Sequence, residues 1–309
     1  MRVVSLVPAG TEIAYALGAV DDLVAVTHDC DYPPAVRTLP RITSSTIAPG
    51  SDSVAIDAQV RAAVERGEST FHLDAAALAA ARPDVLLGQT LCDVCAVTVA
   101  QLPTTMEPAP LVVPLDGHSL EGIFTDILNV GAALGRGAAA MRLVADLRAR
   151  IARVDRQVAG ASRPTVVCLE WLAPLFNAGH WVPEQVAIAG GEDVLGKALV
   201  PSIDFPFDSL LAADPDYLFL LPCGFDADRA LKESRVLTDR PDWGGLSAVR
   251  DGRTWVLDGN AYFSRPGPRV VDGIELLGSL LHPDRVPTPA GTRSIHLASL
   301  AGSMQRPVA

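Results

Sequence analysis

Thiol, imidazole and carboxylate side chains are grouped at two places in the first third of the chain. His28, Asp29 and Cys30 follow one short apolar run, and Cys92 and Cys95 follow another. Cysteines at positions i and i+3 can lie on one face of a helix start, where backbone N–H groups lower the pKa of a thiol. With His28 and Cys30 they could form a metal site of three cysteines and one histidine, such as a zinc site. Alternatively, some of these thiols are small buried hydrophobic side chains.

The second half of the chain contributes further side chains that could contact a ligand. Cys223 follows a later apolar run, and His180 lies in a polar loop. Arg265 lies in a proline-rich turn and could bind a carboxylate through its bidentate guanidinium group. The candidate aromatic contacts are Trp171, Trp181, Phe207, Tyr262 and Phe263. His72 and His118 have no partner nearby in the sequence and are expected at the surface or at helix caps.

Short β-branched runs alternate with Ala- and Leu-rich segments of helical period, which is typical of α/β folds with parallel sheets. The strands of a first lobe are predicted at residues 3–8, 23–27, 84–87 and 111–115, and those of a second lobe at 165–169, 217–221 and 254–257. Open α/β sheets bind ligands at the carboxyl ends of their strands. If the first sheet is parallel, the groups around Cys30 and Cys92 are neighbours at that edge.

The predicted organisation is two α/β lobes joined by a long helix. The lobes cover residues 1–118 and 161–284, the helix covers 119–160, and a flexible tail covers 285–309. The tail is predicted because its composition turns to Pro, Thr, Ser, Gly and Ala. In each lobe the motif Ala-x-Pro-Asp leads from a helix into an apolar strand, at Asp84 and at Asp216, and this internal repeat indicates two related lobes.

Charge and composition exclude several classes of partner. The chain of 309 residues carries a net charge of −11 and has no Lys/Arg cluster, so it would repel the phosphate backbone of nucleic acid and anionic lipid. No apolar run reaches the roughly 18–20 residues that cross a bilayer. Five scattered cysteines do not make a disulfide framework in a chain of this size and fit reduced thiols.

The start of the sequence predicts a cytoplasmic location. Met1 and Arg2 lead directly into the first predicted strand, without a charged leader, apolar core and cleavage site. A start codon assigned too far downstream would instead permit a periplasmic or lipid-anchored protein. Gly-rich phosphate loops, HExxH and GxSxG motifs are missing from the sequence, so an enzyme is not expected. Thiol redox chemistry at Cys92 and Cys95 is the enzymatic alternative.

Several motifs, in order, resemble those of the periplasmic cobalamin-binding proteins and their iron-siderophore-binding relatives, the substrate-binding proteins of type II ABC importers. The resemblance covers roughly residues 1–283. It is carried by Arg-Val-Val-Ser-Leu-Val-Pro-Ala-Gly-Thr-Glu from Arg2, Asp-Tyr-Pro-Pro from Asp31, Asn-Ala-Gly-His from Asn177, Gly-Gly-Glu-Asp from Gly190 and Ser-Arg-Pro-Gly-Pro-Arg from Ser264. Individually these motifs are weak, whereas their order and spacing are specific.

The resemblance implies the class III periplasmic-binding-protein architecture, in which a cleft between two lobes holds a small-molecule ligand and nothing is catalysed. The ligand would be cobalamin or another metal chelate, and the protein would be a monomer. By the same resemblance, Asp74 and Asp208 would dock onto arginines of an ABC permease; helix capping is the alternative role for both. Asp29 and Gln89 match positions that are aromatic in the cobalamin-binding members. A cytosolic carrier of a metal or metallo-tetrapyrrole is the alternative function.

Overall fold

The computed structural model describes residues 1–90, 97, 102, 106 and 108–297. Contacts divide the chain into two compact units. Unit 1 comprises Met1–Ser51, Ala55–Arg148 and Pro266–Pro268, and unit 2 comprises Asp52–Val54, Ala149–Arg265 and the chain from Arg269 onward. Each unit has parallel strands in its main sheet, which confirms the predicted α/β class.

Unit 1 is built on a parallel sheet with helices between its strands. Its strands are β1 Val3–Ser5, β2 Leu23–Ala25, β3 Thr43–Ser45, β4 Phe71–Leu73, β5 Val85–Gln89 and β6 Leu111–Leu115. Its helices are α1 Pro8–Ala16, α2 Ser53–Glu65 from Ala55 onward, α3 Ala75–Ala81, α4 Leu120–Ala133 and the first part of α5 Gly137–Val158.

The main sheet of unit 1 has the strand order β2-β1-β5-β6 among the described residues, and all of its neighbouring strands are parallel. Its central strands are apolar on both faces because helices cover both faces of a parallel sheet. One core cluster joins Val4 and Leu86 in the sheet to Ile42 and to Leu78 of α3. All four side chains are fully buried.

Two local features of unit 1 differ from the prediction. The first strand, predicted over residues 3–8, ends at Ser5, and α1 already starts at Pro8, because proline is favoured in the first turn of a helix. No strand is predicted between residues 43 and 73, yet this segment contains the antiparallel pair β3 and β4. The side chains of β3 are polar, so the hydrophobic pattern of the sequence does not indicate this strand.

The segment predicted as one long helix contains two helices, α4 and α5. Gly135 lies between them in a left-handed conformation with φ of +65°. The N–H groups of Gly135 and Arg136 bind the last carbonyl groups of α4, those of Ala132 and Gly131, as at other glycine-terminated helices. The boundary between the two units falls inside α5, after Arg148.

Unit 2 has a larger, mixed sheet. Its strands are β7 Thr165–Leu172, β8 Leu175–Asn177, β9 Glu192–Asp193, β10 Asp204–Phe205, β11 Tyr217–Leu220, β12 Thr254–Leu257 and β13 Ser294–His296. Its helices are α6 Val182–Ile188, α7 Phe207–Ala213, α8 Ala227–Glu233, α9 Arg235–Thr238, α10 Ser247–Arg250, α11 Gly259–Tyr262 and α12 Val270–Leu281. None of the described helices of either unit is long and apolar enough to span a membrane.

Unit 2 repeats the sheet topology of unit 1. In unit 2, β9, β7, β11 and β12 are parallel neighbours in that order, as β2, β1, β5 and β6 are in unit 1. The sheet of unit 2 continues beyond β7, where β8 pairs antiparallel with β7 and β10 pairs antiparallel with β8. The two units are therefore variations of one topology, as the repeated Ala-x-Pro-Asp motif predicts.

The first part of the predicted flexible tail is ordered. Strand β13 pairs antiparallel with β12, and the ring of His296 lies 4.4 Å from that of Trp255. The edge of β12 that faces away from β11 has free backbone hydrogen-bonding groups until another strand pairs with it, and such pairing does not depend on the composition of that strand. The prediction of a tail from residue 285 is wrong for β13, and residues 298–309 lie outside the described residues.

The Pro-Asp pair has the same function in both units. In unit 1, Asp84 accepts a hydrogen bond of 2.7 Å from the N–H of Arg2, at the start of β1. In unit 2, Asp216 accepts one of 2.8 Å from the N–H of Thr165, the first residue of β7. In each unit an aspartate at the start of one strand thus binds the start of the parallel strand next to it.

Replacing Asp84 or Asp216 with alanine is expected to lower the free energy of unfolding by about 1–3 kcal/mol, since each carboxylate binds a backbone N–H group. Urea unfolding followed by circular dichroism measures this change. The control is Asp284→Ala, an exposed aspartate, which should unfold like the unmodified protein. Equal unfolding midpoints for all three variants would contradict the assigned function of the Pro-Asp pair.

Candidate functional site

His28 and its neighbours lie just beyond the carboxyl end of β2 in unit 1. The half-buried imidazole of His28 has Nδ1 2.7 Å from the Thr43 hydroxyl and Nε2 3.4 Å from the carboxylate of the exposed Asp29. The Cys30 thiol is 1% exposed and lies 3.1 Å from the hydroxyl groups of Thr11 and Thr27. Cys30 therefore points into the protein, as the buried-hydrophobe alternative predicts.

The two predicted chemical groups of unit 1 are not on neighbouring strands. Strand β1 lies between β2 and β5, so His28 and the buried Gln89 share one edge of the sheet but are separated by a strand. Cys92 and Cys95 lie outside the described residues. Among the residues that are described, no group of three or more His, Cys, Asp or Glu side chains could hold a metal ion, so the predicted zinc site has no support there.

A polar cluster at the ends of β5 and β6 was not predicted. Thr90 donates a hydrogen bond of 2.7 Å to Asp116, and Asp116 lies 3.4 Å from Nε2 of His118. These residues follow adjacent parallel strands, so their carboxyl ends bring them together. The signal in the sequence is Asp-Gly-His, which directly follows β6 and so lies at the carboxyl end of a parallel strand, where ligand contacts are expected.

A buried carboxylate holds the loop that carries Asp116. Asp126 in α4 is 5% exposed and accepts a hydrogen bond of 3.0 Å from the N–H of Asp116. Burial raises the pKa of Asp126 to about 6, while hydrogen bonds from the N–H groups of Asp116 and Gly117 oppose this rise. Asp126 thus holds the loop after β6 against helix α4.

In unit 2, Glu170 lies near the carboxyl end of β7 and likewise binds the N–H of a loop residue. Its Oε1 accepts a hydrogen bond of 3.0 Å from the N–H of Gly179, and its carboxylate also binds the Ser202 hydroxyl. Burial of the carboxyl group raises the pKa of Glu170 to about 7. A side chain at Gly179 would approach the N–H of Ser202 to 2.4 Å, so only glycine fits where these two segments meet.

A second carboxylate, Asp193, supports the same region. Its Oδ1 accepts hydrogen bonds from the N–H groups of Leu195, at 3.1 Å, and Gly196, at 2.6 Å. Burial raises the pKa of Asp193 to about 6. His180 has a left-handed backbone with φ of +50°, and its N–H binds the Val200 carbonyl oxygen. The predicted ligand loop around His180 is therefore held by the Glu170 carboxylate, through the N–H of Gly179, and by the backbone of Val200.

The predicted aromatic contacts of unit 2 differ in their exposure. Trp171 is half-buried and packs 5.2 Å from the ring of Phe225. Phe207 is half-buried beneath the guanidinium group of Arg240, at 3.9 Å. Trp181, Tyr262 and Phe263 are largely buried, at 4%, 8% and 1% exposure. In unit 2, therefore, Trp171 and Phe207 present more of their surface than the other three.

The remaining predicted residues follow strands or start helices. Cys223 is exposed beyond the end of β11, and its N–H binds the carbonyl oxygen of Glu170. Arg265 is 8% exposed. Asp74 is the N-cap of α3, where its Oδ1 accepts a 2.8 Å hydrogen bond from the N–H of Ala77. Asp208 lies exposed in the first turn of α7. Capping is thus observed for Asp74, and permease docking stays a prediction for both aspartates.

The pKa of about 7 predicts how stability depends on pH. A raised carboxyl pKa means that the folded protein favours the protonated form, so the contribution of Glu170 to stability is present below its unfolded pKa and is lost as pH rises through about 7. Glu170→Gln should therefore reduce the fall in melting temperature between pH 5 and pH 8. Glu192→Gln, which changes an exposed glutamate, is the control and should keep the full decrease. An undiminished decrease in Glu170→Gln would show that this group does not titrate in that range.

Curated relatives align along nearly the whole chain. The vitamin B12-binding protein of Vibrio cholerae serotype O1 is 26% identical over 278 residues, which cover 89% of this chain and 86% of that protein. An uncharacterized ABC transporter substrate-binding lipoprotein, YvrC of Bacillus subtilis, is 21% identical and covers 92% of this chain and 80% of its own length. YvrC is named as a lipoprotein, so the predicted cytoplasmic location finds no support among these relatives.

Solved structures share the fold. The periplasmic heme-binding protein RhuT from Roseiflexus sp. RS-1, in its apo form, superimposes with a TM-score of 0.68 at 25% identity, covering 91% of this chain and 98% of RhuT. The periplasmic vitamin B12-binding protein BtuF of Vibrio cholerae gives a TM-score of 0.65 at 21% identity, covering 91% of this chain and 96% of BtuF. The family model described as periplasmic binding protein matches residues 3–261, and the chain belongs to this family of substrate-binding, non-catalytic proteins.

Proposed function

We propose that this chain is the substrate-binding protein of an ABC importer and that its ligand is a metal-containing tetrapyrrole of the corrinoid or heme type. The observation that carries the proposal is the family match over residues 3–261. Relatives named for vitamin B12 binding and heme binding support the ligand class, because both ligands are flat macrocycles that hold one metal ion. Like its relatives, the protein would work outside the cytoplasm.

The proposed contact surfaces are the loops beyond the carboxyl ends of the strands in each unit. In unit 1 these loops carry His28, Asp29 and the cluster around Asp116. In unit 2 they carry the loop of His180 and the exposed Cys223. Such edges are the usual ligand-binding positions of open α/β sheets, and the half-buried rings of Trp171 and Phe207 offer apolar surface for a macrocycle.

The polar character of unit 1 favours a ligand with polar substituents. Asp29 and Gln89 stand where the resemblance implies aromatic residues in cobalamin-binding members, so stacking from unit 1 would be weaker here. Heme propionates and corrin amides both form hydrogen bonds, and each can use such polar side chains. Thiol redox chemistry is not favoured, since the family is one of substrate-binding proteins that are not enzymes.

A ligand that binds only the folded protein raises the melting temperature by mass action. Hemin or aquocobalamin at about 100 times its Kd is expected to raise it by about 5–10 °C, measured by differential scanning fluorimetry and checked by absorbance titration. Metal-free protoporphyrin IX tests the effect of the macrocycle alone, and zinc chloride tests the effect of a metal ion alone. A response to zinc alone would replace the proposed ligand class with a metal site, and no response to either tetrapyrrole would overturn it.

Permease docking through Asp74 and Asp208 can be separated from helix capping. Asparagine caps helices about as well as aspartate, so Asp74→Asn should keep the hydrogen bond to the N–H of Ala77 and the stability while removing the charge. The double variant Asp74→Asn, Asp208→Asn should bind a B12-type permease in nanodiscs about tenfold or more weakly than the unmodified protein, as measured by surface plasmon resonance at low salt. The control is Asp21→Asn, which removes an exposed charge outside the proposed surface. If the double variant binds the permease as tightly as the control does, docking by Asp74 and Asp208 is excluded.

A further inference from the structure

We propose that Ser53 and Glu233 are positioning residues for Trp171, one of the two rings proposed above to contact the macrocycle. This inference rests on the proposed function and adds to it the residues that would set the orientation of that ring. It starts from the composition of unit 2. This unit includes the short segment Asp52–Val54, although its next residue along the chain is Ala149.

Two groups of Ser53 bind one carboxylate. The N–H of Ser53 donates a hydrogen bond of 3.0 Å, and its hydroxyl donates one of 2.8 Å, to the same Oε2 of Glu233. Ser53 is 1% exposed and is the first residue of α2, where an N–H group has no partner within the helix. The helix dipole also favours a carboxylate at this end. Glu233 therefore holds the start of α2 within unit 2.

Ser53 in turn binds the indole ring of Trp171. The Nε1–H group of Trp171 donates hydrogen bonds to the carbonyl oxygen of Ser53, at 3.2 Å, and to that of Ala173, at 3.1 Å. Ala173 lies two residues along the chain, whereas Ser53 comes from a distant part of the sequence. Because the N–H group of an indole lies in the plane of the ring, these bonds fix its edge and leave its faces to apolar contacts.

Glu233 also supports Trp171 by a second route. Its Oε1 lies 3.7 Å from Nη2 of Arg229, one turn earlier in α8, and the Arg229 guanidinium lies 4.2 Å from the centre of the Phe225 ring. The Phe225 ring is 3% exposed and packs 5.2 Å from that of Trp171. One carboxylate thus supports the N–H edge of the indole through Ser53 and the ring beside it through Arg229.

A ring held in this way is oriented before a flat ligand arrives. Side chains that become ordered only on binding cost affinity, and contact between rings depends on their angle and separation. Ser53 and the side chain of Glu233 are 1% and 14% exposed, so they are withdrawn from solvent while Trp171 is half-buried. Their effect on a ligand would therefore be exerted through Trp171.

The test is absorbance titration of the full chain with hemin and with aquocobalamin. Glu233→Ala should bind about tenfold more weakly, because hydrogen bonds to a charged group are lost. Glu233→Gln keeps an acceptor oxygen for Ser53 and should recover most of that affinity. Ser53→Ala removes only the hydroxyl and should bind about threefold more weakly. The control is Glu65→Ala, which removes an exposed glutamate at the other end of α2 and should match the unmodified protein.

A double-mutant cycle separates positioning of the ring from a general loss of stability. Trp171→Ala removes the ring that both routes support. If Glu233 acts through this ring, adding Glu233→Ala to Trp171→Ala should weaken binding by less than about twofold further, because residues that act as a unit are not additive. The same loss of affinity from Glu233→Ala in both backgrounds would overturn the inference.

The possible outcomes separate this inference from the proposed function. If the unmodified protein binds neither tetrapyrrole, the proposed function fails and the inference fails with it. If it binds either one and Glu233→Ala leaves the affinity unchanged, the positioning role is wrong and the proposed function stands. Circular dichroism checks that each variant is folded. Should Glu233→Ala not fold, Ser53→Ala decides, since an unchanged affinity in that variant also overturns the inference.

Discussion

Both sheets depend on the hydrogen bond that a Pro-Asp aspartate accepts from the backbone N–H at the start of the neighbouring strand. Before each of these aspartates, a helix ends in a left-handed residue, Arg82 in unit 1 and Asp214 in unit 2. The proline then prevents the helix from continuing. Asp84 and Asp216 bind the starts of β1 and β7 and so set the parallel register. Adjacent strands therefore end at the same edge of the sheet, and loops from distant parts of the sequence meet at that edge.

Carboxylates withdrawn from water hold the loops at these edges. Asp126 in unit 1 and Glu170 in unit 2 each bind the N–H of a loop residue that follows a strand, and burial raises both pKa values. Burial disfavours the ionised form of each carboxyl group. The hydrogen bond nevertheless restricts the loop, because a loop that moved away would leave its N–H group without a partner. Loops fixed in advance lose less conformational entropy when a ligand binds.

The proposed ligand class follows from this arrangement and from the family together. The family match indicates a substrate-binding protein, and the strand ends of the two units carry different kinds of side chain. Unit 1 offers polar and imidazole groups, and unit 2 offers half-buried rings beside a fixed loop. That division accommodates the polar residues Asp29 and Gln89 at positions where aromatic stacking is expected from the resemblance.

Sequence and tertiary structure determined different parts of this description. Hydrophobic period, proline positions and the repeated Ala-x-Pro-Asp motif were enough to predict the α/β class, most strands and two related lobes, because these signals are local. Strand order was not predictable in this way, so His28 and Gln89 were expected on neighbouring strands although β1 separates them. The cluster of Thr90, Asp116 and His118, and the carboxylates beneath the loops, join residues far apart in sequence. Only the parallel pairing of strands brings them together, since hydrogen bonds between strands carry no signature in either strand alone.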